Sequence, residues 1–150
     1  MSAAHHIHPE QLKKLATEFK DTELGIDPMD PHSAADNCEF CSEHFLEWGK
    51  GRGLSGAVRY YQTPSGYHAV TRINTSAGQH IVDHTYNQFA LFDDDGDVAL
   101  SEPDTWREPM PMVKTLEEYE TNHMRYPWTA SENPKKFFAK PWWDRPDYEE

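Results

Sequence analysis

The chain has 150 residues, of which 37% are hydrophobic, 27% charged and 13% aromatic, with a mean hydropathy of -0.88. That length suits one compact domain around one core, and the aromatic content sets it apart from chains that stay disordered. Its 14 Lys and Arg face 26 Asp and Glu, a formal charge of -12, which argues against a nucleic-acid partner because no cationic field gathers phosphates.

The N-terminal stretch MSAAHHIHPEQLKKL lacks the apolar segment of a signal peptide, and no run reaches the ~20 apolar residues of a membrane span. A cytoplasmic protein is expected, or one delivered by a route that uses no cleaved signal, and no membrane partner.

Pro9 stands where a first helical turn would begin, and Leu12, Leu15, Ala16 and Phe19 recur at spacings of three and four, which predicts an amphipathic helix over 9–20. The stretch 21–36 holds Gly25, Pro28 and Pro31 without a period and reads as a loop. From Cys38 an apolar stripe of Phe40, Cys41, Phe45, Leu46 and Trp48 runs at helical spacing until Gly49, Gly51 and Gly53 end it, with Asp36 or Asn37 as the N-cap. Three strand-like runs follow, at 57–62, 67–73 and 80–82, and predict an antiparallel meander. The run 93–97 reads as a solvated acidic turn. It is no calcium loop, because Gly96 would place Leu91 at the first ligand position. A second helix is predicted over 115–124, where Leu116, Tyr119 and His123 share a face. The tail from 126 carries Pro127, Pro134, Pro141 and Pro146 among Trp128, Phe137, Phe138, Trp142 and Trp143, so it is not helical throughout and its aromatics are expected to cover other parts of the domain.

Cys38 falls at a predicted helix N-terminus, where unpaired backbone N–H groups and the positive end of the dipole stabilise a thiolate. His68 lies in the second strand run and Asp83 closes the third. Neighbouring antiparallel strands can set a histidine beside a carboxylate. In a relay of this kind His68 takes the Cys38 proton and Asp83 fixes the imidazole. Cys41, one turn after Cys38, is the other candidate nucleophile, and a core residue otherwise. The same C-x-x-C spacing occurs in redox and zinc sites, but no apolar strand precedes Cys38, and His32 and His44 complete no recognisable ligand set. Neither a metal nor an organic cofactor is expected.

Three segments resemble the papain-like superfamily in its transglutaminase-like order of Cys, His and Asp. Residues 37–42 with the following helix and Gly51, Arg52, Gly53 and Leu54 look like the nucleophile helix and its exit. Tyr67, His68, Ala69 and Val70 look like the histidine strand. Val82, Asp83, Thr85, Gln88 and Phe89 fit the V-D-x-T-x-x-Q-F pattern of bacterial papain-fold toxins. Pro109 to Val113 with Leu116 and Tyr119 resembles the segment that follows.

The resemblance covers roughly 36–120 and implies an α+β fold with the nucleophile helix on an antiparallel sheet. The expected division is an N-terminal helix at 9–20, a catalytic core at 36–104 and a C-terminal helix and tail at 105–150. The implied chemistry is peptide hydrolysis, glutamine deamidation or acyl transfer through an acyl-enzyme, on a protein or peptide amide. A toxin or effector of this type is expected to have a neutralising partner protein. The oxyanion hole would take the Cys38 backbone N–H first, with the Asn37 or Gln88 amide as second donor. A non-catalytic interaction module of the same fold, binding a basic partner through its acidic surface and Trp-rich tail, is the competing expectation.

Overall fold

The computed structural model describes residues 6–34, 37–63, 66–91, 108–124 and 128–133. The acidic run at 93–97, Asp36 and the tail beyond 133, with Trp142 and Trp143, lie outside the described residues.

Helix α1 (Pro9–Thr22) starts at the predicted proline, which has no N–H to leave unpaired, and it buries Leu12, Ala16 and Phe19. The expected loop over 21–36 is interrupted by one turn, α2 (Pro31–Ala34). It is fixed by the Asp30 carbonyl accepting from the Ala34 N–H at 3.0 Å and by the Ser33 hydroxyl donating to the Asp30 carboxylate at 3.1 Å. Helix α3 (Cys38–Lys50) follows, with Asn37 at the cap position. The Asn37 side chain does not cap it. Its amide donates to the Ser33 carbonyl at 2.8 Å, a local bond that competes with capping. At the far end a Cβ on Gly49 would run into the Leu54 side chain, so only glycine lets the exit loop lie against the helix.

The meander forms as β1 (Gly56–Thr63), β2 (Gly66–Thr75) and β3 (Gly78–Asp83), each extending the predicted run. Two short strands were not anticipated: β4 (Met112–Thr115) pairs with β3, and β5 (Thr129–Ser131) pairs with β1. The antiparallel order is β4-β3-β2-β1-β5, and the fold is α+β. A turn of 3-10 helix, Tyr86–Leu91, carries the chain away from β3.

Strand alternation sorts the core onto both faces of the sheet. Ile73 and Val82 pack against Leu12, Ala16 and Phe19 of α1 and Phe45 of α3. Tyr61, Val70 and Ile81 pack on the opposite side with Tyr86, Phe89, Met112 and Tyr119. That second face is closed by the predicted C-terminal helix, which is only α4 (Leu116–Glu118) before it widens into a π turn at Tyr119–His123. Thr115 caps it by accepting from the Glu118 N–H at 3.1 Å. Trp128 meets the Tyr61 ring edge-on at 5.3 Å.

Ion pairs fasten this C-terminal half to the meander. Arg72 grips Glu132 through two N–H groups at 2.6 and 2.9 Å. Arg59 meets Glu120 at 2.7 Å, and the Tyr61 hydroxyl donates to the same carboxylate at 2.7 Å. All are partly buried and mutually bonded, unlike solvent-exposed pairs of little worth.

Candidate active site

The site forms where the sheet loses a strand. Strand β2 stays paired with β1 down to Gly66, but with β3 only as far as Thr71 opposite Val82. His68, directly across from Tyr61 in β1, therefore has no ladder partner in β3. Asp83 ends β3 at that break, and His68 Nε2 and Asp83 Oδ2 are 2.8 Å apart. Both side chains are buried, at 2% and 0% exposure.

Asp83 is held on both oxygens. The Thr85 N–H donates to Oδ1 at 2.8 Å, and the Tyr119 hydroxyl donates to Oδ2 at 2.7 Å. Burial opposes the charge of Asp83, but the facing His68 ring and these donors more than offset it and hold the carboxyl below its ordinary range. For His68 too burial works against the charge. The Asp83 carboxylate and hydrogen bonds to Asp83 and Cys38 outweigh it and raise the imidazole to about 10.

With Nε2 committed to Asp83, Nδ1 is the nitrogen left for Cys38. The sulfur, at the N-terminus of α3 and packed with Tyr60 and Ala69, is close enough to the ring to help raise the imidazole. The structure thus brings Cys38, His68 and Asp83 together. Cys41 is a different group: burial, followed by the charges of Cys38 and Asp83, pushes its thiol up to about 12. At neutral pH it stays protonated, and it belongs to the core of the helix interface. Neither cysteine is in a disulfide. Among the described residues no three His, Cys, Asp or Glu side chains converge as a metal site.

The two side-chain amides considered for the oxyanion hole are placed otherwise engaged. Gln88 Nε2 lies 3.0 Å from His68 Nδ1 and 3.4 Å from Thr85 Oγ1, so its amide is engaged by the His68 ring and the Thr85 hydroxyl. It meets His68 on the nitrogen that does not face Asp83. Asn37 Nδ2 is bonded to Ser33. The helix offers backbone donors instead: its first internal bond is from the Cys41 N–H to the Asn37 carbonyl at 2.9 Å, which leaves the N–H groups of Cys38, Glu39 and Phe40 outside the helical ladder.

Two residues of the site were not singled out as such from the sequence. Tyr119 registers there as one apolar position of a helix face, yet its hydroxyl is the third partner of the triad carboxylate. Asn87, fully buried, donates to the carbonyls of Pro28 and Glu108 at 3.1 Å each and accepts from the Glu108 N–H at 2.8 Å. It fastens two outer segments to the turn that carries Gln88. A polar residue next to Gln88 in an otherwise apolar turn is the only signal the sequence gives of this. Glu39, adjacent to Cys38, accepts from the Tyr60 and Tyr67 hydroxyls at 2.9 and 3.0 Å and so fixes the first turn of α3 to the sheet.

His84, next to Asp83, has a separate role. Its Nε2 donates to the Ala16 carbonyl at 3.0 Å and its ring packs on Phe19 and Phe45, which ties α1 to the site. Burial lowers its pKa, against smaller raising effects from the Ala16 bond and Asp83. Below the ordinary histidine value of ~6.5 the unfolded chain therefore binds the proton that the folded chain refuses, and stability should fall with pH by up to ~1.4 kcal/mol per unit. Because His68 titrates with the opposite sign over this range, the loss is read as a difference: between about pH 7.5 and about pH 5.5 the urea midpoint of the parent should fall relative to that of His84→Gln. An equal loss in the variant would count against the assignment.

Comparison with known protein families, curated proteins and solved structures gives no match. The chemistry of the site rests on its geometry. Among the described residues no helix is long and apolar enough to cross a membrane.

Proposed function

We propose that the chain is a cysteine-dependent amide hydrolase or acyl transferase of the papain-like kind, in transglutaminase-like order. The observation that carries this reading is the buried His68–Asp83 pair at 2.8 Å with Cys38 in reach of the same ring at a helix N-terminus. Cys38 Sγ attacks the carbonyl carbon of an amide while its proton resides on His68 Nδ1. The oxyanion accepts from the backbone N–H of Cys38. His68 then gives the proton to the departing amine, leaving a thioester on Cys38. Water or an amine, deprotonated by His68, attacks the thioester and frees the thiol. Asp83 keeps Nε2–H in place and stabilises the imidazolium, and Tyr119 and Thr85 keep Asp83 in place.

The substrate in this reading is a side-chain or peptide amide of another protein. Water as acceptor gives hydrolysis or deamidation, and an amine gives transfer. The toxin or effector role, with its neutralising partner protein, rests on the resemblance of residues 82–89 to the papain-fold toxin pattern. The burial of Cys38, at 6% exposure, favours a second reading in which the fold is an interaction module and the relay is idle.

One experiment separates the two without a known substrate. Sub-stoichiometric iodoacetamide on the native chain, followed by peptide mapping, should label Cys38 selectively at mildly acidic pH, with Cys41 as the internal reference. His68→Ala should abolish that selectivity. Equal, slow labelling of both cysteines would sink the enzyme reading.

A further inference from the structure

We propose that the open cavity between the start of α1 and the exit of α3 binds a small organic phosphate, a phosphate monoester with an apolar body. This inference is independent of the Cys38 chemistry.

The cavity is about 470 Å³ and is lined by Lys14, Gln11, Leu15, Ile7 and Arg52 among others, none of them a carboxylate. That lining is contrary to the charge of the chain, whose 26 acids outnumber its 14 bases. The other cations make the contrast sharper. Lys20, Lys50, Arg59, Arg72 and Lys114 each pair with a carboxylate, whereas Lys13, Lys14 and Arg52 have no such partner among the described residues, and of these three Lys14 and Arg52 line the cavity. Two cations facing one concavity whose lining holds no carboxylate give it a local positive field that favours an anion.

The donors are also held in place. The Arg52 guanidinium lies 4.0 Å over the Trp48 ring and spends one N–H on the Trp48 carbonyl at 3.0 Å, so its remaining fork is oriented before any ligand arrives. Gln11 accepts from the His8 N–H through Oε1 at 3.4 Å, which leaves its amide N–H groups for an acceptor. The floor is anchored by Ile7, which bridges to Thr75 and accepts from the Ser76 N–H at 2.9 Å.

A dianion with three terminal oxygens can engage Lys14, Arg52 and Gln11 at once, which the two oxygens of a carboxylate cannot. Ile7 and Leu15, packed against the core cluster of α1 and α3, offer an apolar wall to the rest of the ligand. Hence an ester is favoured over the inorganic ion.

The test is a chemical-shift titration of the full ¹⁵N-labelled chain with phenyl phosphate and, separately, inorganic phosphate at low salt. Saturable shifts at Gln11, Arg52 and Gly53 are expected, with phenyl phosphate the tighter ligand. Lys14→Ala/Arg52→Ala should weaken it by about tenfold or more, and Lys13→Ala should leave it unchanged. All three side chains are exposed, and urea unfolding of each variant checks that the fold persists; Lys14→Gln/Arg52→Gln repeats the test with polar replacements. No saturation into the millimolar range, an unchanged affinity in both double variants, or equal binding of the two probes would overturn the proposal.

Discussion

Asp83→Asn is expected to slow iodoacetamide labelling of Cys38 at neutral pH by on the order of a hundredfold or more, while costing about 2–4 kcal/mol of stability. The substitution is nearly isosteric and keeps an oxygen for the Thr85 N–H. It places an amide N–H against two donors, His68 Nε2–H and the Tyr119 hydroxyl. The imidazole must then move its proton to Nδ1, and the nitrogen facing Cys38 is no longer a base. The carboxylate that stabilised the imidazolium is also gone. Labelling kinetics and urea unfolding measured on one preparation separate the two effects. A variant that labels like the parent would remove Asp83 from the relay.

The same pair sets a pH window. Asp83 is held below its ordinary value, so its contribution is present above the ordinary carboxylate range and is lost as pH falls through the lowered value. His68 is raised to about 10, so its contribution is complete below the ordinary histidine range and is lost as pH rises through that value. In Asp83→Asn both limbs should flatten, leaving the acid-side loss that His84 imposes.

Asn87→Ala is expected to cost about 2–4 kcal/mol, a large effect for a residue with no part in the chemistry. Alanine removes the donors to the Pro28 and Glu108 carbonyls and the acceptor for the Glu108 N–H, and it leaves a small cavity in a site without solvent access. Urea unfolding gives the loss directly. Below the transition, Cys38 labelling should stay within about tenfold of the parent, because the triad contacts do not pass through Asn87. A change in stability under about 0.5 kcal/mol would show that these bonds are not the fastening described.

What the sequence carries of this fold depends on the range of the interactions. The helix from Cys38 and the three meander strands are legible because alternation or helical period, with Gly66 and Gly78 at the turns, fixes them locally. Strand β4 is only four residues, from Met112 after Pro111 to the Thr115 cap, and exists because β3 offers an edge to it. Strand β5, still shorter, depends on β1 in the same way. Side-chain destinations follow the same division. Thr85 is readable beside Asp83 because their bond is local, and Asn37 holds the expected cap position, while its side chain bonds Ser33, four residues back, instead of the helix. Gln88 is marked as a site residue by the pattern it shares with Asp83 and Thr85, but its partner His68 lies 20 residues away, and Tyr119 reaches Asp83 from 36 residues away with no local pattern to announce the contact.

The arrangement of the sheet bears on how the chain fails. Strand β1 has eight residues, but β5 covers only Tyr60, Tyr61 and Gln62, and it is kept there by Glu132 on Arg59 and Arg72. A chain cleaved ahead of Thr129 would lose that cover and the counter-ion together. The bared edge would then offer its amides and carbonyls to any extended segment in solution, including the same strand of another copy. Self-association, visible as light scattering, should therefore precede any change at the cysteine, and a proteolytic fragment should be lost as precipitate while Cys38, His68 and Asp83 are still in place.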